Sequence, residues 1–543
     1  MKHIINKIGI ILAGIALLFS CVDLNTLPEG GTITAEQNQT IGDAMPERVA
    51  AQVSGMYTTI SKQYCIFGAV QGRHDDFGYP ALCLSQDLNG PDMTCVDDGY
   101  NWFTPSSDYT DRTYTYANNY MRYAVPYKQI QAANNVLTSI DENTENPTLQ
   151  VYRAQAKAVR AFDYLSLVPY YQFKYKGHEE DLSVPIIDPA VDISAGAPRA
   201  SLSEVYKLIL ADLDDAIAGL AGYSRASKAE IDINVAYGLR ARANLYMENW
   251  ADAAADADKA MQGYTPASIA EISQPAFIDA NDHYWMWGLL IGPDKVPAAY
   301  PSWPAKLGSF SGDSYTAAVG CYKTINKILF DVISSTDVRK GWWVDGNLHS
   351  ANLASVTWNG VKGDAIAPLQ IDGVKVPFLP YTNVKFGQYG GPGSTVNAGD
   401  WCLMRVEEMI LIKAEGLAMS GGDGKSVLEN FVKTYRDPQY VCPASSGVDL
   451  QNEIWKQRRI ELWGEGFAMS DIMRLNKNIV RVVTGKESNI PVRFQFNIAP
   501  DDGWLLMRFP QQETNTNPDV IQNEDGTQPT EGDGANLRDG ITD

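Results

Sequence analysis

Apolar side chains return every three or four residues in several separate stretches of this chain, and each stretch predicts a helix. Between Val151 and Tyr171, Ala154, Ala158, Ala161, Leu165 and Val168 fall on one face. Between Leu202 and Leu220, Val205, Ile209, Leu213, Ala216 and Leu220 repeat the pattern. Ser201 or Ser203 is placed to cap that helix, with Glu204 in its first turn. A third stretch runs from Asn234 to Met261 in two halves. Leu239, Ala243 and Tyr246 mark the first, Glu248-Asn249 turns the chain, and Trp250, Ala253, Ala260 and Met261 mark the second. A fourth carries Val406, Ile410, Ala414 and Leu417, breaks at Gly421-Gly422, and resumes with Val427, Phe431 and Tyr435. The pattern predicts a mainly α-helical fold.

In the third pair an aromatic stands at the turn, with alanine three residues on and another seven later. This is the spacing of the second helix of a tetratricopeptide repeat, whose alanines sit where paired helices touch. Ala253 and Ala260 are therefore expected at helix contacts, and the whole reads as about four such pairs, interrupted and not a regular solenoid. Between Gly263 and Asp400 periodicity fades. Gly, Pro, Trp and Tyr dominate there, with Tyr284-Trp285-Met286-Trp287, Trp303, Trp342-Trp343 and the glycine-rich Gly387 to Gly393. A long aperiodic stretch inside a compact protein points to loops that carry function. Residues 524–543 are polar and are expected to form a flexible tail.

The N-terminus has a different character. Lys2, His3 and Lys7 form a basic start, and an apolar run from Ile8 to Phe19 ends in Leu18-Phe19-Ser20-Cys21. This is the pattern of a secretory signal peptide, too short for a membrane span of ~20 apolar residues. Leu18 and Ser20 before Cys21 resemble the lipobox of bacterial lipoproteins, which implies removal of residues 1–20, acylation of Cys21 (palmitate among the chains) and a tether over residues 21–42. Several acyl chains anchor firmly, since each buried methylene contributes ~0.8 kcal/mol. Net charge is −21, or −23 once Lys2 and Lys7 are removed, which argues against nucleic acid and anionic headgroups as ligands. The remaining cysteines, Cys65, Cys83, Cys95, Cys321, Cys402 and Cys442, are scattered, with no zinc spacing. They read as core residues, Cys83 and Cys95 being the nearest candidates for a disulfide.

Three further stretches together resemble the SusD/RagB family of outer-membrane lipoproteins. The first is Pro198-Arg199-Ala200-Ser201 leading into Glu204-Val205-Tyr206, with Asp212-Leu213 and Ala216 behind it. The second runs from Arg405-Val406-Glu407-Glu408 and Lys413-Ala414-Glu415-Gly416 to Gln457-Arg458-Arg459-Ile460-Glu461-Leu462, Glu465-Gly466 and Asp471-Ile472-Met473-Arg474. The third is Phe509-Pro510, Glu513, Asn517-Pro518 and Gln522-Asn523. Asn134-Asn135-Val136-Leu137 and Thr336-Asp337-Val338-Arg339 support them. Gln457 stands where the family usually has Glu, and Ala468 where it usually has Arg. The resemblance implies a single SusD-like domain over 43–523, repeat-rich to about 262 and loop-rich beyond. Arg458, Glu461, Glu465, Asp471 and Arg474 are read as an ion-pair lattice between packed helices, not an acid–base site.

No HExxH, P-loop, GxSxG or GxGxxG motif occurs, so no catalytic residue, metal site or cofactor is assigned. The histidines after the signal, His74, His178, His283 and His349, lack metal spacing. The segment Asp87-Leu88-Asn89-Gly90-Pro91-Asp92 has a calcium-loop flavour without the terminal Glu, and is expected to be a solvated turn. The resemblance implies a surface glycan-capture lipoprotein, not an enzyme, partnered with a SusC-type TonB-dependent outer-membrane barrel. It places ligand contacts in two regions, Arg73, Asp97, Asp98, Tyr100 and Trp102, then Tyr284, Trp285 and Trp287. Sugar faces stack on aromatic rings, and hydroxyls need fixed polar partners. The alternative for Trp285 and Trp287 is loop or core packing. Two other functions stay open, a peptide-binding member of the same family and a surface-anchored glycoside hydrolase with a carboxylate pair.

Overall fold

The computed structural model describes residues 35–98, 101–189, 196–368, 376–537 and 539–542. Helices α1 (Ala35–Ala44), α2 (Pro46–Thr58) and α3 (Tyr79–Asn89) lead into the long antecedents of the core, α4 (Ala117–Thr138) and α5 (Pro147–Tyr171). Next come α6 (Leu202–Gly219), α7 (Ile233–Tyr246) and α8 (Trp250–Ala260). After the irregular middle, α9 (Val406–Ser420), α10 (Gly424–Tyr435), α11 (Gly447–Glu461) and α12 (Ala468–Leu475) close the scaffold. The expected tether thus overlaps a helix: α1 is docked by Asn38 Nδ2, which donates to Ser139 Oγ at 2.7 Å. Cys21 and the signal peptide lie outside the described residues.

Each predicted helix has a physical cause that the structure makes explicit. The α6 cap is Ser201: its hydroxyl accepts from Glu204 N while the Glu204 carboxylate accepts from Ser201 N, a reciprocal capping box. On α5 the buried face is Ala154, Ala158, Ala161 and Leu165, packed against α4 and α6. On α8, Ala253, Ala257 and Ala260 have no exposed surface, and the helix lies between α7 and α9. Gly416 of α9 permits that approach, because a Cβ there would stand 2.5 Å from the Trp250 carbonyl oxygen.

The strands are short and come as five antiparallel two-stranded ribbons among the described residues: β1 (Met93–Thr94) with β5 (Thr324–Ile325), β2 (Leu182–Pro185) with β3 (Arg199–Ser201), β4 (Trp285–Leu289) with β8 (Trp401–Arg405), β6 (Thr357–Trp358) with β7 (Val361–Lys362), and β9 (Ile479–Val480) with β10 (Asn497–Ile498). The ribbon of β4 and β8 matters most, since it ties the loop-rich middle to α9.

The ion-pair lattice is present and fully buried. Glu461 accepts from Arg405 Nη1 at 2.7 Å, Arg436 Nε at 2.8 Å and Arg339 Nη1 at 3.1 Å. Burial opposes ionisation of Glu461, yet Arg436, Arg405 and Arg339 hold its carboxyl well below the usual range. Arg405 and Lys385 both reach Glu465, and Asp471 joins Arg458 to Arg474. Gln457 keeps its place in the network by accepting from Arg339 and donating to Glu453.

Two expectations about polar segments are corrected. The turn Asp87–Asp92 is not solvated: Asp87 caps the chain at Gly466 N and Ala468 N, and Asp92 pairs with Arg459 at 2.6 Å. Both carboxylates are almost wholly buried. The C-terminal stretch is held in place as well. Arg459 donates to the carbonyls of Gly540 and Ile541, Gln528 to that of Asp108, and Ile541 enters the hydrophobic core. The six cysteines are unpaired; Cys402 is half-buried and the others are buried.

Candidate functional site: an aromatic rack

Four aromatic side chains from four separate segments meet at one surface. His74 is central. Its ring stacks on Tyr300 with centroids 5.4 Å apart and planes inclined by 28°, and tilts against Trp102, also at 5.4 Å. Its Nδ1 lies 2.7 Å from the Tyr315 hydroxyl, and Tyr315 tilts against Tyr300 at 5.4 Å. Tyr300 is 37% exposed, while Trp102, His74 and Tyr315 are half-buried. The group presents ring faces and polar edges together.

Each ring is fixed by its neighbours. Asp75 pins the His74 segment, accepting from Asn118 Nδ2 at 2.7 Å and pairing with Arg73 at 2.6 Å. Asp76 accepts from the backbone amides of Ile66 and Phe67. Trp102 sits at φ +67, a left-handed conformation costly for a bulky residue. Buried Asn101 sustains it by donating to the Val96 carbonyl and Thr104 Oγ1 while accepting from Phe103 N. Asn397 joins the remaining two segments, donating to the carbonyls of Ala299 and Asp313, each at 2.8 Å. Gln63 clamps Ala298 in both directions.

Charge is graded through the rack. The Tyr300 hydroxyl donates to Asp313 Oδ1 at 2.9 Å, and this bond, followed by partial burial, raises the phenol. Beneath the rings, Lys306 is fully buried with its Nζ 3.3 Å from the Tyr315 ring centroid. Burial, then the nearby Lys323, holds its ammonium well below the usual lysine range. Burial and Lys306 likewise lower His74, which disfavours the charged imidazolium. The arrangement offers stacking faces, an imidazole, phenol hydroxyls and the Asp313 carboxylate within one patch. That is the equipment for holding a polyhydroxylated ring.

Of the residues singled out from sequence, Trp102 lies in the rack and Arg73 lies beside it, its guanidinium 5.6 Å from the Trp102 ring. Asp97 is exposed and paired with Arg493 at 3.2 Å, and the Asp98 carbonyl accepts from the Thr104 hydroxyl. Tyr100 lies outside the described residues. Tyr284, Trp285 and Trp287 depart from expectation. They are 2%, 0% and 1% exposed, because the side chains of this segment pack into the hydrophobic core, Tyr284 against Phe277. Trp287 Nε1 donates to the Ala229 carbonyl and its ring packs edge-on against Phe162. Trp303, Trp342 and Trp343 are buried as well. His74, Tyr300 and Tyr315 were missed by sequence reasoning. The one available signal was Tyr300 and Tyr315 flanking an aperiodic, proline- and serine-containing stretch.

Comparison with known proteins places this geometry in context. A family model described as starch-binding associating with outer membrane matches residues 84–245, and a model of the SusD family matches residues 375–526. Trp102 falls in the first span; His74, Tyr300 and Tyr315 fall outside both. Solved structures share the fold. A SusD-like carbohydrate binding protein from Bacteroides vulgatus is 22% identical, with 89% of this chain and 98% of that one covered and a TM-score of 0.71. A SusD superfamily protein from Bacteroides thetaiotaomicron is 18% identical, with 88% and 99% covered and a TM-score of 0.68. A laminarin binding SusD-like protein is 18% identical, with 88% and 98% covered and a TM-score of 0.59. No curated protein matches the sequence.

Proposed function

This chain belongs to the SusD/RagB family, and from that premise we propose that it captures oligo- or polysaccharide at the cell surface through the rack of Trp102, His74, Tyr300 and Tyr315. The single observation that carries the reading is the exposed Tyr300 ring stacked on His74 beside Trp102. Tyr300 is exposed while Trp102 packs against the hydrophobic core beneath it, and an aromatic patch open to solvent marks a binding surface. The carbohydrate-binding relatives of the same fold support the choice of ligand class. The reading is of binding without catalysis.

The protein is further proposed to be acylated at Cys21, to face the exterior of a Gram-negative outer membrane, and to hand its glycan to a SusC-type TonB-dependent barrel. Among the described residues no helix is long and apolar enough to cross a membrane, which fits attachment by a lipid. The experiment is incubation of the purified protein with a panel of neutral polysaccharides, laminarin and starch among them, followed by assay of bound glycan and of new reducing ends. Retention without new reducing ends is expected. Turnover that depends on a defined carboxylate, or no retention of any glycan, contradicts it. For the partner, extraction in mild detergent should co-purify the barrel, and Cys21→Ala should leave the protein in soluble fractions.

A further inference from the structure

The rack does not end at Trp102. The Arg73 guanidinium lies 5.6 Å from the Trp102 ring centroid and 5.5 Å from that of Phe67. Phe67 in turn meets Tyr120 edge-on, with centroids 5.8 Å apart. Tyr300, His74, Trp102, Arg73, Phe67 and Tyr120 thus follow one another in steps of 5.4 to 5.8 Å. They form a row and not a cluster. Among the described residues no ring contact joins Phe67 or Tyr120 to Trp102, His74 or Tyr300. Every member keeps part of its surface open, Tyr300 most of all.

The added half of the row has no packing role that accounts for it. Trp102 rests on the hydrophobic core, whereas neither Phe67 nor Tyr120 belongs to a core cluster or packs against one among the described residues. Both rings are nevertheless held. The Phe67 amide donates to Asp76 Oδ2 at 2.8 Å. Asp75 accepts from Arg73 Nη2 at 2.6 Å and from Asn118 Nδ2 at 2.7 Å, and Asn118 stands two residues before Tyr120 in α4. One carboxylate therefore fixes Arg73 against the start of the helix that carries Tyr120. Arg73 still leaves 24% of its side chain open, and the turn after Phe67 presents Val70 wholly to solvent. Rings and a flat guanidinium that are open, fixed and continuous with the rack make a surface longer than the rack itself.

We propose that Phe67, Arg73 and Tyr120 extend the rack into further subsites, so that the protein takes its glycan as a chain of several sugar units and not as a mono- or disaccharide. The proposal rests on glycan capture at the rack and adds chain-length selectivity to it. Phe67 and Tyr120 offer apolar faces to the C–H groups of the additional sugars, and Arg73 bridges the two halves.

The test is calorimetric titration of the purified protein with maltose and maltohexaose, and with laminaribiose and laminarihexaose. A hexasaccharide has more registers than a disaccharide on any site, so the readout is the change in their affinity ratio between parent and variant. In Phe67→Ala/Tyr120→Ala that ratio should fall about fivefold or more, the scale of two lost ring contacts. Phe67→Leu/Tyr120→Leu keeps apolar volume and removes the flat faces, so it keeps the test decisive if the alanine variant melts early, and it should lower the ratio in the same sense. An unaltered ratio in a folded variant, with the parent binding both lengths, overturns the proposal and leaves glycan capture standing. Failure of all four glucans to bind the parent overturns it together with the capture of glucans.

Discussion

His74 and Tyr300 lie face to face, 5.4 Å between centroids, although 226 residues separate them along the chain, from position 74 to position 300. The stack joins the turn before α3 to a loop that belongs to no helix. There a side chain beside the scaffold supports an exposed ring of the irregular middle.

Removing the support should therefore weaken the ligand platform without unfolding the protein. An aromatic pair contributes ~0.5–1.5 kcal/mol beyond the area it buries. His74→Ala is expected to reduce glycan affinity severalfold while the thermal melt moves little. Titration of the variant with the retained glycan, alongside its melt, checks this.

The lattice around Glu461 predicts the opposite balance. Glu461→Gln removes the shared carboxylate of Arg339, Arg405 and Arg436, leaving buried guanidiniums short of charge. Breaking one partner of a buried pair costs ~3–5 kcal/mol, so denaturant unfolding should show a loss of that size. By contrast Lys413→Ala, whose side chain pairs at the surface with the exposed Asp258, should change stability by no more than ~1 kcal/mol.

Helix contacts at alanines give a third expectation. Ala253 and Ala260 are fully buried between α7, α8 and α9, so Ala253→Leu or Ala260→Leu overpacks the seam. A loss of ~1–3 kcal/mol is expected in chemical denaturation. Unchanged stability would contradict the packing described.

Asp87 makes stability depend on pH. Burial pushes its carboxyl from 3.8 up to about 7. The folded state thus holds this proton where the unfolded chain has released it, and the contribution is fully present below 3.8 and lost as pH rises through about 7. At 1.36 kcal/mol per tenfold of proton affinity, the loss is on the order of 4 kcal/mol. Asp87→Asn should flatten the stability profile between these limits, as followed by denaturant melts across pH.

The scaffold was legible because its signal is local. A helix at Val151–Tyr171 needs only the spacing of Ala154, Ala158 and Leu165, and Ser201 with Glu204 writes its own cap. Lattice residues such as Arg458 and Glu461 were readable through the family resemblance. The site was only half legible. Trp102 fell in the right loop, but aromatic density misled at Tyr284–Trp287, whose burial is decided by core packing against partners such as Phe162, more than a hundred residues away. Similarly, polarity alone suggested solvent for Asp87–Asp92 and for the C-terminal stretch, whereas their partners, Gly466, Arg459 and Asp108, are remote in sequence. His74 gains meaning only once Tyr300 and Tyr315 arrive beside it.

The most direct measurement is isothermal titration of the retained glycan into the parent and into a Trp102→Ala/Tyr300→Ala double variant of matched thermal stability. Two stacking rings at ~0.5–1.5 kcal/mol each predict an affinity lower by about fivefold or more. A folded double variant that binds as tightly as the parent contradicts the assignment of glycan capture to this rack.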